Sequence, residues 1–204
     1  MKKVQLLFSL AVGLLLSACS SQDIIIANFE ELDYGNWNVE GKAFASGPVI
    51  MNQSNQQENR GSIGKGFVMS DGMETGTLTS YPFKANRRHL VFLLGGGNFP
   101  EQLCVNLLQE GEIVRSITGN NNFILEWCSF DLKELIGSEI QIQIFDRVKN
   151  DKGRILVDNF YLTNMPPVVS KSLDFVIDKK YINLPVRTGE RNKKMRLFIE
   201  GKLF

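Results

Sequence analysis

Between residues 23 and 164, apolar and polar positions fall into short runs bounded by Gly, Ser, Asn or Asp. Runs of that length, separated by turn residues, predict strands and not helices. IIIANFE opens the series and ELDYGNW follows as a turn. GKAFASGPV, GFVMS and GTLTSYPF are further strand candidates. HLVFLLGGG is continuously apolar, which predicts a central strand buried on both faces. Its three glycines let the backbone turn tightly at the strand end. QLCVNLLQEGEIVRSITG predicts a hairpin that turns at Gln109–Glu112, and WCSFDLKELIG a strand that runs into a short turn. In EIQIQIFDRV, Ile140, Ile142 and Ile144 alternate with Gln141, Gln143 and Phe145. One face of that strand should meet a core while the other lies nearer water. RILVDNFYLTN is the closing strand, and the polar stretch NQSNQQENRG is a loop.

Strands at such even spacing predict an all-β fold, a jelly-roll or galactose-binding-like β-sandwich over residues 23–164. Met165-Pro166-Pro167 then breaks the pattern, because consecutive prolines favour a stiff, extended linker. Strand-like runs resume in KKYINLPVRTGERNKKMRLFIEGKLF, the last of them alternating around a turn at Glu200-Gly201. A sheet that stops after its first strands leaves unpaired edges. Residues 165–204 are therefore expected to be a linker and the beginning of an incomplete small β segment.

Composition adds little to this picture. With 204 residues, 43% hydrophobic and a formal net charge of +1, the chain has no broad electrostatic reason to bind nucleic acid. The first residues change more. MKKVQLLFSLAVGLLLSACSSQ has two lysines, an apolar run too short for a comfortable membrane span, and then Leu16-Ser17-Ala18-Cys19. That ending resembles the bacterial lipobox. It implies a signal peptide over residues 1–19, lipidation at Cys19, and a protein anchored by lipid to the outer membrane of a bacterial envelope. Cys104 and Cys128 could pair in that compartment, or serve as two buried thiols.

Candidate chemistry is sparse. His89 stands alone, without the partners of a transition-metal site. No Gly-x-Ser-x-Gly elbow occurs, and Gly95–Asn98 lacks the ending of a phosphate loop. Glu30, Asp33 and Asp158 lie near the two ends of the sandwich segment, which a jelly roll brings together. Their oxygens could hold a structural Ca²⁺, or they could be turn-capping and surface carboxylates. For sugar binding, aromatic faces and amides are needed. Trp37, Asn98 and Trp127 are of that kind, as are Asn120, Asn121 and Asn122, although both tryptophans sit in strand-like pieces that also suit a core.

FEELDYGNWNVEGKAFASGP, GTLTSYPF, FLLGGGNFPEQLCVNLLQEGEIVRSITG, LEWCSFDLKELIG and ILVDNFYL together resemble the N-terminal β-sandwich of Bacteroides-type levanases and related fructosidases of glycoside hydrolase family 32. The blocks run in order from residue 28 to 164, and the tail resembles the small β segment that follows in those enzymes. The resemblance implies a fructan-degrading lipoprotein whose ligand is levan or inulin. It also implies a catalytic propeller after the sandwich, carrying a Trp-Met-Asn-Asp-Pro-Asn-Gly nucleophile motif, an Arg-Asp-Pro motif and a Glu-Cys acid/base motif. None of these motifs occurs here; in Glu126-Trp127-Cys128 a tryptophan intervenes. The expectation is therefore the non-catalytic front of such an enzyme, truncated or a fragment, with weak fructan binding or a propeller-positioning role. The alternative is a self-standing glycan-binding lipoprotein of the envelope.

Overall fold

The computed structural model describes residues 22–51, 60–150 and 152–165, with positions 176 and 181 and the pairs 198–199 and 202–203. The signal peptide with Cys19, residues 52–59 of the polar loop and most of the 165–204 tail lie outside the described residues.

The described chain is all-β. Its strands are β1 (Ile24–Ala27), β2 (Asn38–Gly41), β3 (Val49–Ile50), β4 (Gly66–Met69), β5 (Gly76–Thr79) and β6 (Phe83–Lys84), then β7 (His89–Gly96), β8 (Leu103–Gln109), β9 (Glu112–Ile117), β10 (Asn122–Asp131), β11 (Glu139–Asp146) and β12 (Ile155–Thr163). A short 3₁₀ turn, Lys133–Leu135, links β10 to β11. All pairings are antiparallel. Sheet A runs β10-β7-β12-β4-β3, with β1 also on β12; sheet B runs β2-β5-β11-β8-β9, with β6 also on β11. In the tail, β13 (Phe198–Ile199) pairs with β14 (Lys202–Leu203), flanking the expected turn.

The two sheets enclose one core. Sheet A contributes Leu90, Phe92, Leu94, Val157, Phe160 and Leu162, and sheet B contributes Leu78, Val105, Leu107, Ile140, Ile142 and Ile144. Alternate residues supply them, as the two-residue period requires, except on β12, where an irregularity between Asp158 and Tyr161 sets Val157 and Phe160 three residues apart. An aromatic string plugs one end. Phe29 meets Trp37 at 5.4 Å between centroids, and Phe92 meets Phe160 at 4.9 Å. Phe29 holds a left-handed backbone (φ 53°), a strained conformation for a bulky residue that its buried ring keeps in place.

Several expectations match this architecture. Strand β7 is buried along its whole length between β10 and β12. The β8–β9 hairpin pairs Gln109 with Glu112 across Glu110 and Gly111, both at positive φ. Two such residues give a turn whose twist suits the strands it joins. GKAFASGPV is corrected. Only its two ends are strand, Gly41 closing β2 and Val49 opening β3, and residues 43–46 form a turn in which the Ala45 N–H donates to the Lys42 carbonyl at 3.1 Å and the Gly47 N–H to the Phe44 carbonyl at 3.3 Å. Cys104 is in sheet B and Cys128 in sheet A; both are free thiols. Burial pushes the Cys128 thiol up to about 11, reinforced by the negative charge of Glu126, so it is not an activated thiolate.

Candidate functional site

The outward face of sheet A carries a second, smaller apolar cluster of Phe67, Leu93, Leu125 and Leu156, with Phe123 and Trp127 packed against it. The segment before β4 lies over this face and is tied down at several points. The Leu125 N–H donates to the Arg60 carbonyl at 2.6 Å, and the Ile63 N–H to Asp158 Oδ2 at 2.8 Å. The Glu30 carboxylate accepts from the Lys65 N–H at 2.9 Å and the Gly66 N–H at 3.2 Å. Glycine is needed at 66, where a Cβ would run into the Phe29 carbonyl, and at 64, where it would strike the Glu30 carboxylate.

This arrangement decides the candidate Ca²⁺ set. Glu30 and Asp158 both face the 60–66 segment, but Asp33 does not join them. Its Oδ1 accepts from the Gly35 N–H at 2.8 Å and caps its own exposed turn. Among the described residues, no group of three or more His, Cys, Asp or Glu side chains could hold a metal ion. Ca²⁺ needs six to eight oxygens, and Glu30 and Asp158 already accept backbone N–H groups. The three-residue set is therefore corrected to a pair that latches a loop. Asp158 is fully buried and its Oδ1 has no partner. Burial pushes its carboxyl up to about 7; the hydrogen bonds from Ile63 and Asn159 oppose this, and the negative charge of Glu30 adds to it.

The sugar-binding candidates separate. Trp37 is only 8% exposed and packs on Phe29 and Phe160, so its faces serve the core and are closed to a sugar ring. Trp127 is half-buried on the outward face of sheet A, edge-on to Tyr161 at 5.8 Å. Asn98 and Asn121 do come together. The Asn98 N–H donates to Asn121 Oδ1 at 2.9 Å, and the Asn121 N–H to the Gly96 carbonyl at 2.9 Å. Asn121 takes the left-handed conformation (φ 64°) that asparagine tolerates. Asn120 and Asn122 accept backbone N–H groups from residues two places on, at 3.0 and 3.1 Å, so they shape the loop.

Beside this loop pair lies a cavity of about 160 Å³ lined by Arg60, Met69, Phe123 and Arg154. The Arg60 guanidinium stands 5.9 Å from the Phe123 ring centroid. A second cavity, about 350 Å³, is lined by Gln22, Asp23, Ile25, Ile63, Asn159 and Tyr161. Sequence reasoning passed over Phe123, Tyr161 and both arginines. Their runs do not differ from other strand or loop runs; the pairing of β10 and β12 with β7 sets Phe123 and Tyr161 on one face, and the bond from the Leu125 N–H to the Arg60 carbonyl brings Arg60 to it.

No known family model matches the chain. A candidate glycosyl hydrolase of Aspergillus rugulosus, ecdE, is 30% identical over 138 residues, 66% of this chain and 20% of that protein. The chain thus spans about a fifth of the length of that curated relative. Among solved structures, the carbohydrate-binding module TmCBM61 in complex with β-1,4-galactotriose is 20% identical, covering 66% of this chain and 92% of that one, with a TM-score of 0.46. The K1 cleaved adhesin domain of Lys-gingipain from Porphyromonas gingivalis W83 is 12% identical, covering 71% and 99%, with a TM-score of 0.47. The fold itself rests on this chain's own two sheets.

Proposed function

We propose that the sandwich is the non-catalytic glycan-binding module of a glycoside hydrolase, with a fructan, levan or inulin, as its ligand. The observation that carries this reading is the 138-residue match to the Aspergillus candidate hydrolase, which occupies only a fifth of that protein. A module that recurs as a minor part of a larger hydrolase is suited to holding or positioning substrate. What the outward faces offer are amides, hydroxyls, arginines and ring faces, the groups that bond and stack on sugars.

The finer points of the proposal rest on sequence. The family 32 assignment and the fructan ligand come from the blocks between residues 28 and 164, and the lipid anchor in the outer membrane from Leu16-Ser17-Ala18-Cys19. Calorimetric titration of the full chain with levan, inulin and β-1,4-galactotriose tests the reading. Saturable binding to levan or inulin supports it. Binding to galactotriose alone keeps a glycan module and removes the fructan. No binding to any of the three overturns the glycan-binding role.

A further inference from the structure

The outward face of sheet B differs from that of sheet A. On β11, Ile140, Ile142 and Ile144 enter the core, so Gln141, Gln143 and Phe145 face outward. The register then aligns one residue from each of five of its six strands. Asn38 of β2 pairs with Thr79 of β5, Thr79 with Gln143 of β11, Gln143 with Asn106 of β8, and Asn106 with Ser116 of β9. The row consists entirely of uncharged amides and hydroxyls. It spans four strand gaps of about 4.8 Å, or about 19 Å in all.

These side chains are already oriented by one another. Ser116 Oγ donates to Asn106 Oδ1 at 2.7 Å, and Asn106 Nδ2 donates to Gln143 Oε1 at 3.3 Å. Exposure falls from the ends of the row to its middle. Asn38 and Ser116 are exposed, Thr79 and Gln143 half-buried, and Asn106 is 3% exposed. The row thus forms a band across the strands, open at both edge strands and most enclosed at Asn106, and is called the trough below. Aromatic rings stand on both sides of it. Phe145, two residues along β11 from Gln143 and on the same face, carries the Arg147 guanidinium 4.9 Å from its ring centroid. Tyr81 follows β5 with the same parity as Thr79 and is 45% exposed.

We infer that this trough is the principal contact surface for a neutral glycan chain lying across the strands of sheet B. The chemistry selects that occupant. Amides and hydroxyls exchange hydrogen bonds with sugar hydroxyls in both directions, and flanking rings offer faces to the sugar's C–H surfaces. A protein partner would be expected to meet a more apolar centre. An anionic ligand would be expected to meet arginines or lysines in the row, and there are none. The inference rests on the proposed glycan-binding role and names the place where it is exercised.

The test is titration of levan and inulin into the full chain, its Thr79→Ala/Gln143→Ala variant, and Asn38→Ala. None of the three replaces Asn106, but Gln143→Ala removes the acceptor of its Nδ2, so Asn38→Ala, at an exposed position, is the variant that leaves the sheet's hydrogen bonds intact. The expected result is a loss of tenfold or more in affinity for the double variant and threefold or more for Asn38→Ala, with the unfolding midpoint of Asn38→Ala unchanged and that of the double variant still well above the titration temperature. If the parent chain binds fructan and all variants bind it equally, the trough is not the site, while the glycan-binding role stands. If the parent chain binds neither fructan, the trough proposal falls together with the fructan reading.

Discussion

The two outward faces of one sandwich have been put to opposite uses. On sheet A the chain folds back over itself. Glu30, Asp158 and the Leu125 N–H hold the 60–66 segment down, and Phe67, Leu93, Leu125 and Leu156 form a second core beneath it. On sheet B the corresponding face shows an uncharged row from Asn38 to Ser116. The strands alternate in the same way in both sheets. The difference lies in which residues fill the outward positions: leucines and phenylalanines need a cover, while amides and hydroxyls can stay wet.

The largest effect should come from truncating the covered face. Leu93 is 3% exposed, on the central strand of sheet A. Leu93→Ala should cost about 3–5 kcal/mol in denaturant unfolding, while Gln143→Ala on the open face should cost about 1 kcal/mol, through the hydrogen bond it accepts from Asn106. Equal losses would mean that the outward cluster on sheet A is not a core and that the contrast between the faces fails.

Next in size is a pH effect that belongs to the covered face. Asp158 titrates near 7 in the folded state because of its burial, against 3.8 ordinarily. Between those values the folded protein holds a proton that the unfolded chain has released. Stability from this group is therefore full below about pH 4, falls as pH rises towards 7, and levels off above it. At about 1.4 kcal/mol per unit, the loss over these roughly three units is about 4 kcal/mol. Asp146, raised to about 6 by burial, adds a smaller fall of the same sign. Asp158→Asn should flatten the difference. A parent and variant whose midpoints move in parallel from pH 4 to 8 would show that Asp158 ionises freely.

A smaller effect tests the latch directly. Glu30→Gln weakens the acceptor for the Lys65 and Gly66 N–H groups. It should cost about 1–2 kcal/mol, with faster amide exchange at 63–66 and no change on β8 or β11. Unaltered exchange at 63–66 would assign the cover to its apolar contacts alone.

These contrasts explain what could be read from the sequence and what could not. Local pattern revealed the all-β class, the β8–β9 hairpin and the buried β7, because each depends on a period or a turn contained in a few residues. The isoleucines of β11 announced an inward face in the same way. Which strands lie side by side depends on pairings between residues tens of positions apart, so the row of Asn38, Thr79, Gln143, Asn106 and Ser116 was invisible. Each of those side chains, taken alone, is an ordinary polar strand residue. Trp37 shows the converse. Its type suits a sugar site, but its faces are closed by Phe29 and Phe160, contacts that no local pattern displays. Glu30 and Asp158 were correctly expected near one another, since first and last strands meet in a jelly roll. Asp33 was not separable from them without the turn that engages it.

The smallest expected effect concerns the loop pair at the end of sheet A. Asn98 is exposed, and its backbone, not its side chain, is what Asn121 holds. Asn98→Ala should therefore leave stability within about 0.5 kcal/mol. If a glycan reaches this loop, the variant loses one exposed hydrogen bond of about 0.5–1 kcal/mol, a two- to fivefold weakening. That is less than the loss expected from Thr79→Ala/Gln143→Ala. Affinities measured side by side rank the two faces. A larger loss at Asn98 than at Gln143 would move the principal contact to the cavity of Arg60, Phe123 and Arg154. The loop end of sheet A would then be the binding surface, and the uncharged row on sheet B an ordinary solvated face.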